Sequence, residues 1–370
     1  MSALVLASLA WCAVATGFSA VACVRLSRAR AGAAPQPGAV PPVLLLRPVD
    51  APTPRELENL AQSIDYAGPL EQVVVSPYRP RLAPGVRWLP SEPLTPNRKV
   101  GHLLYALDVL PVGDRVVLSV DADVAVTGAL VEGLAVPVAA GPPEHRGLPV
   151  GPRDGASRAM AGLLRYTHHS FRALDAMSAG AKAVCGKALG LSPVAVESLR
   201  RLADHIGEDL ELAKRLHAQG LVLSSAPAVV PLDAEVLWAA PLSRFTRWMQ
   251  VLASHRPALY PTVPLLFTPT LPLAVLAAAL GSPVLAGSVV GLVAVRTLLA
   301  LRLAGLHAPV ADAGRAYAVT DWLLGEALLL AAFLRSLWRQ GTVTWRGQTY
   351  VLRPGGRMIR VAPELSGGPG

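Results

Sequence analysis

The sequence predicts an α/β protein: a doubly wound, mostly parallel sheet with one N-terminal and two to three C-terminal membrane helices. Three observations predict it. Between residues 43 and 240, short unbroken apolar runs alternate with helix-patterned stretches, as in a parallel sheet covered on both faces. Apolar stretches of membrane-spanning length stand on either side of that region. The composition agrees, with 370 residues, 52% hydrophobic, and a mean hydropathy of +0.42. That is too apolar for an ordinary soluble enzyme and too polar for a pure transporter.

The formal net charge is +9 and most basic residues are Arg. In a membrane protein this suggests flanks held at an anionic cytoplasmic surface. No aromatic-studded basic stripe or zinc-type Cys/His spacing supports nucleic-acid binding. Cys12 and Cys23 lie in the first apolar stretch and Cys185 stands alone. No disulfide framework is implied, in keeping with a reducing compartment.

Residues 1–30 form the first unit. Ala3 to Val24 is apolar and uncharged, long enough to cross a bilayer, and Arg25, Arg28 and Arg30 follow at once. Positive charges after the apolar run place the N-terminus outside and the next domain in the cytoplasm, whereas a cleaved signal peptide carries them before it. Residues 31–42 are a Pro/Gly/Ala linker.

Residues 43–240 are the expected cytoplasmic domain. Strands are expected at Val43–Leu46, Gln72–Val75, Val86–Leu89 and Val116–Val120. Helices are expected at Arg55–Tyr66, Lys99–Leu110, Ser157–Met177, Val196–His205 and Asp209–Ala218, the last stopped by Gly220. Ser157–Met177 suits either a core helix or an interfacial one. Residues 241–256 alternate apolar and basic groups, as along a membrane surface.

Residues 257–338 hold the later membrane segments: Pro257–Gly305, divided near Gly281-Ser282-Pro283, and Tyr317–Leu337. Three full spans would put the basic tail, 339–370, outside, against the positive-inside tendency. Tyr317–Leu337 is the segment expected not to span, because Asp321 and Glu326 are costly in lipid unless they face protein or water.

Asp121-Ala122-Asp123 closes the strand Val116–Val120, at the end where open α/β sheets bind ligands. Two carboxylates at i and i+2 suit a hard cation, Mg²⁺ or Mn²⁺, bridging the diphosphate of a nucleotide sugar. A turn with solvated carboxylates has the same sequence. Glu208-Asp209 opens a helix, where acidic groups cap the free N–H groups. Alternatively Asp209 is a general base that takes a hydroxyl proton. Arg244 and Arg247 share a helix face, with Trp248 beside them. They suit interfacial anchoring, or Arg244 and Arg247 on a diphosphate with Trp248 shaping an acceptor site. Lys99 suits nucleotide phosphates or a solvated turn. His168-His169 point apart on a helix and are expected at a surface or interface.

In this order the motifs resemble those of the ceramide glucosyltransferase family, membrane-bound relatives of the family 2 glycosyltransferases. The resemblance covers nearly the whole chain: Arg47-Pro48 with Glu58-Asn59-Leu60 and Asp65-Tyr66, then Asn97-Arg98-Lys99-Val100, then Asp121-Ala122-Asp123. It continues through Cys185-Gly186-Lys187, Leu202-Ala203-Asp204 leading to Glu208-Asp209, Arg244–Trp248, and Trp345-Arg346-Gly347-Gln348-Thr349-Tyr350-Val351-Leu352-Arg353. The resemblance implies a GT-A-like domain in a bacterial inner membrane and inverting transfer of glucose from UDP-glucose to the hydroxyl of ceramide. Asp121 and Asp123 would hold the metal, Asp209 would be the base, and a hopanoid or another bacterial lipid is an alternative acceptor.

One departure stands out. The family carries an Asp after the second strand, where uracil and ribose are held. Here the stretch is Val75-Ser76-Pro77-Tyr78-Arg79-Pro80. Tyr78 stacking on the base and Ser76 hydrogen-bonding to it are the expected substitutes. A donor that is not a UDP-sugar, or a lipid-binding scaffold that has lost its donor, are the other readings. A processive polysaccharide synthase shares the motifs but needs more membrane helices than this chain offers.

Overall fold

The computed structural model describes residues 2–29, 40–135, 140–141, 145–149, 154–177, 184–221, 224–225, 228–232, 236–305, 312–339, 341–345 and 347–361. Most of the expected linker, together with Arg30, Arg346 and the tail beyond 361, lies outside the described residues.

The chain opens with α1 (Ala3–Ala29), then β1 (Val43–Pro48), α2 (Pro54–Leu60), β2 (Leu70–Ser76), β3 (Arg87–Pro90), α3 (Arg98–Val109), β4 (Val116–Val120) and α4 (Gly128–Leu134). Two short strands, β5 (Ala140–Gly141) and β6 (His145–Pro149), lead to α5 (Gly155–Gly162), a π-helical turn (Leu163–Thr167) and α6 (His168–Met177). Then come β7 (Ala188–Leu191), α7 (Pro193–Leu199), α8 (Glu208–Ala218), β8 (Ser224–Ser225), β9 (Ala228–Leu232) and α9 (Ala239–His255). A second π turn (Val263–Phe267) precedes α10 (Thr270–Ala279), α11 (Pro283–Gly305) and α12 (Asp312–Leu337). The described chain closes with β10 (Thr342–Trp345), β11 (Gln348–Leu352) and β12 (Met358–Arg360).

The main sheet has the order β3-β2-β1-β4-β7. β1 lies parallel to β2 and β4, β3 lies parallel to β2, and β7 is antiparallel to β4. Every residue of β1 is buried, because side chains alternate between two covered faces. Val43 and Leu45, with Leu118 and Val120, pack toward Leu130, Met160, Phe245 and Leu329. Leu44, Leu46 and Val117 pack toward Leu103, Leu199 and Leu212 on the other face. The expected mostly parallel, doubly covered sheet is therefore present.

Two expected helices differ in extent. Arg55–Tyr66 gives only α2, begun by a Thr53–Glu56 capping box and ended at Leu60. Tyr66 instead donates its hydroxyl to Pro41 O (2.6 Å), tying that stretch to the chain ahead of β1. Val196–His205 gives the earlier α7, capped by Ser192 with Pro193 in its first turn. The residues beyond it serve the start of α3, where Asn97 donates to Ala203 O and His205 O.

Two described helices are long and apolar enough to cross a membrane, Ala3–Arg25 and Pro283–Ala304. The apolar α10 is shorter and packs with them through Leu273 against Cys12 and Val289. α12 is not of that kind. It lies along α5, α9 and the first π turn, with Asp321 buried against Arg158 (2.9 Å). Glu326, also buried, pairs with Arg296 and accepts from Thr270 N (2.6 Å). The same Arg296 donates to the carbonyls of Leu266 (2.6 Å) and Phe267 (3.3 Å), which the second π turn leaves without helical partners.

The seam between α12 and α5 is backbone against backbone. A Cβ on Gly162 would lie 1.8 Å from Asp321 O, and one on Gly325 would lie 2.5 Å from Leu163 N. We expect Gly162→Val to lower stability by about 1–3 kcal/mol or more, since overpacking here moves a backbone. Gly287→Val, with open space around it, is expected to leave the Tm unchanged. Thermal unfolding of both variants in detergent checks this.

Candidate active site

A cavity of about 900 Å³ opens at the carboxyl ends of β1 and β4 and runs toward the apolar helices. One end is ionic. Asp121 and Asp123 are delivered by the end of β4, where Asp121 N donates to Lys187 O (2.8 Å) just ahead of β7. Below them lies Arg47, fully buried in β1. Its guanidinium donates to the carbonyls of Asp121 (3.2 Å), Ala122 (3.2 Å) and Val124 (2.9 Å), and to Asn59 O (3.2 Å). The acidic loop is thus pinned by its backbone, leaving its carboxylates to face the cavity. Burial brings Arg47 down to about 10, against the pull of Asp123 and Asp121.

Lys99 Nζ pairs with Asp121 (2.8 Å) and Glu208 (3.4 Å) and donates to Gly186 O. Burial would lower its pKa, but Asp121 and then Glu208 outweigh burial and hold it above the usual lysine value. Lys187 pairs with Asp123 and lies 3.5 Å from Asp121. Burial would raise the Asp123 pKa, but Lys187, then Arg244, more than offset that, so the carboxyl is held below its usual range.

Asp209 sits in the first turn of α8. Gly207 makes the entry to that helix with φ +68°, a conformation that favours glycine. Asp209 Oδ2 accepts from Gly186 N (2.6 Å) and Oδ1 from Leu210 N (2.9 Å). The side chain lines the cavity, and the N-cap position of α8 is Gly207, which makes no side-chain cap. Burial pushes its carboxyl up to about 6, Glu208 adds to the rise, and the Gly186 and Lys99 contacts oppose it. Gly186 is where these groups converge: a Cβ there would lie 3.1 Å from Lys99 Nζ, 3.2 Å from Glu208 Oε1 and 3.3 Å from Asp209 Oδ2.

α9 brings Arg244, Arg247 and Trp248 to the opposite wall. Burial, then the neighbouring Arg244, lowers Arg247 to about 10. Trp248 is held edge-on by Phe245, with ring centroids 5.1 Å apart. Beyond them the cavity becomes apolar, lined by Leu163, Phe171, Val263, Phe267 and Leu329. Phe267 stacks with Phe18 of α1 at 5.5 Å and with Phe171 at 6.3 Å. The cavity therefore joins an ionic end to a greasy one built from the two π turns, α6 and α12.

Asp121, Asp123, Lys99, Asp209, Arg244, Arg247, Trp248 and Tyr78 all line this one cavity, Tyr78 at its mouth and 80% exposed. Ser76 does not. It is buried, its hydroxyl donates to Tyr78 O (2.7 Å) and accepts from Trp88 Nε1 (3.1 Å), and so it braces the strand end instead of facing a base. The histidines do point apart, but not outward: His168 lines the cavity, and buried His169 bonds to Ala22 O in α1 (3.1 Å).

Several groups of the site carry no local signal of that role: Lys187 lies inside the short Cys185-Gly186-Lys187 motif, and Arg47 beside Pro48. Asp50 also lines the cavity, held through Oδ1 by Arg98 Nε (3.0 Å) and His102 Nε2 (2.8 Å), with Ser91 on the far side of that ring. Burial, then Arg98, brings His102 down to about 4, so the ring is neutral. Nothing in the local pattern marks these groups, since strands β1 and β3 and helix α3 meet only in the fold.

A metal on a nucleotide diphosphate takes one or two protein carboxylates together with phosphate oxygens. Asp121 and Asp123 are oxygen donors of that kind. Asp123 Oδ1 is buried with no hydrogen-bond partner among the described residues, an acceptor that a cation would satisfy. The residues fit such an ion. No group of three or more His, Cys, Asp or Glu among the described residues could hold an ion by protein ligands alone.

No curated protein matches the chain. Among solved structures it is similar to the mannosyltransferase PcManGT from Pyrobaculum calidifontis, determined in complex with GDP-Man and Mn2+. The two share 19% identity with a TM-score of 0.48, over 91% of this chain and 99% of that one. The model of Glycosyl transferase family 21 matches residues 89–358, a span that carries Lys99, the acidic loop, Asp209, the Arg-Trp helix and β10. The chain belongs to glycosyl transferase family 21, the ceramide glucosyltransferase family.

Proposed function

We propose that this glycosyltransferase moves a hexose, glucose from UDP-glucose, onto the hydroxyl of a membrane lipid such as ceramide, with inversion at the anomeric carbon. The observation that carries the proposal is the single cavity with carboxylates and cations at one end and Phe267 and Leu329 at the other. A charged donor and a greasy acceptor can meet there.

Asp123 and Asp121 would hold Mg²⁺ or Mn²⁺, which when bound neutralises charge on the diphosphate. Lys99 and Arg244 bind and orient the phosphates, and Tyr78 stacks on the base at the mouth. Asp209 takes the proton from the lipid hydroxyl as its oxygen attacks the sugar, and Arg247 steadies the departing diphosphate. Trp248 shapes the acceptor end and helps exclude water, which would otherwise compete for the sugar.

The protein is read as an integral membrane protein of a bacterial inner membrane with its catalytic domain in the cytoplasm. α1 enters from outside, the stretch through α10 crosses out and α11 crosses back, and α12 stays with the catalytic domain. Hydrogen bonds from Ile206 N to Gly356 O (2.8 Å) and from Met358 N to Asp204 O (2.7 Å) support a tail on the cytoplasmic side. In sealed right-side-out vesicles a C-terminal tag is expected to resist added protease. Digestion of the tag there overturns this topology.

The function is tested by incubating the purified protein with a panel of nucleotide sugars and membrane lipids, ceramide and hopanoids included, with Mg²⁺ or Mn²⁺, and analysing lipids by mass. A hexosylated lipid is expected, and its absence from every combination overturns the proposal. Asp209→Asn is expected to cut transfer by about 10²–10⁴-fold with nucleotide binding largely kept. Since the base must be ionised, wild-type kcat should fall as pH drops through about 6. Asp123→Ala is expected to raise the metal concentration for half-maximal transfer by at least about tenfold, read from metal titrations.

A further inference from the structure

The tail beyond α12 returns to the catalytic domain as the antiparallel sheet β10-β11-β12. It docks on the loop that leads into Asp209. Besides the two backbone bonds at Ile206 and Asp204, Arg357 Nε pairs with Asp204 Oδ2 (2.8 Å). His255 Nε2 of α9 bonds to the carbonyl of the same Ile206 (2.8 Å). Gln250, also of α9, donates to Arg339 O and Thr342 O, both at 2.6 Å. Val343, Tyr350 and Met358 close an apolar cluster with Ile206 and Val251. The fit leaves no slack: Gly356 has φ +80°, and a Cβ there would lie 2.1 Å from His255 Nε2 and 2.3 Å from Ile206 O.

This docking carries Trp345, at the end of β10, into the wall of the cavity, packed beside Leu210 and Ile206. Those residues flank Asp209. The indole is half-buried and lines the same cavity as Asp209. A flat apolar ring suits the C–H face of a pyranose, whose hydroxyls lie around its rim.

We propose that the C-terminal sheet is a working part of the transfer site. Trp345 is the surface against which the transferring sugar ring lies. The contacts of the sheet with Asp204 and Ile206 make Gly356, His255 and Arg357 positioning residues for the loop that presents Asp209. The proposal rests on the glycosyl-transfer function above and adds a sugar contact and a positioning device to it.

The test uses the full chain in lipid nanodiscs, with kcat and donor KM measured for the donor and lipid that the wild type uses. Affinities for UDP and GDP with Mn²⁺, and the Tm, are read alongside. Trp345→Ala is expected to lower kcat by about tenfold or more with nucleotide affinity within about twofold, and Trp345→Phe to restore most of the loss. Gly356→Val is expected to lower kcat to a similar degree, again with nucleotide affinity kept. Wild-type kcat and KM in Trp345→Ala overturn the proposal, as does a Phe variant no better than Ala. So does a loss of kcat that follows nucleotide affinity and Tm downward together. A wild-type protein that transfers no sugar from any donor overturns the underlying function, and the proposal with it.

Discussion

One partly buried ammonium group organises the site. Lys99 Nζ belongs to α3, yet its partners come from the end of β4, the turn before β7 and the start of α8. Here one cation serves several partners, so the positions of Asp121, Gly186 and Glu208 are coupled. Asp209 takes its place in that frame through the amide of Gly186. A Cβ on Gly186 would press on all three charged groups, each of which would have to give by a few tenths of an ångström.

Arg47 does for the backbone what Lys99 does for the side chains. A buried guanidinium with its donors spread over successive carbonyls holds the turn after β4 in one shape. It also leaves positive charge beneath a loop whose carboxylates would otherwise repel one another. The same economy recurs in the helical region, where Arg296 answers both Glu326 and the carbonyls of the second π turn. That turn carries Val263 and Phe267 into the greasy end of the cavity. Charged groups buried in pairs therefore shape both ends, one around the reacting centre and one around the approach from lipid.

Polar and apolar ends meet because glycine lets backbones touch. Gly162 and Gly325 bring α12 against α5 and the first π turn, and so set Leu329 over the cavity. Without that contact α12 would stand a side chain further out and the greasy end would open toward its flank.

The amino-acid sequence by itself determined the class of fold, the placing of Asp121 and Asp123 after a strand, the start of α8 and the apolar helices, because these follow from periods and caps within a few neighbouring residues. The two acidic groups that set Tyr317–Leu337 apart in the sequence are buried against Arg158 and Arg296. Only the tertiary structure decided that Ser76 faces inward to Trp88, that His168 lines the cavity, and that Lys187, Asp50 and Trp345 join the site. Each of these depends on separate elements meeting around the carboxyl ends of the strands. The reason is physical: local pattern records which face of an element is buried, whereas the partner that buries it is chosen by packing over the whole chain.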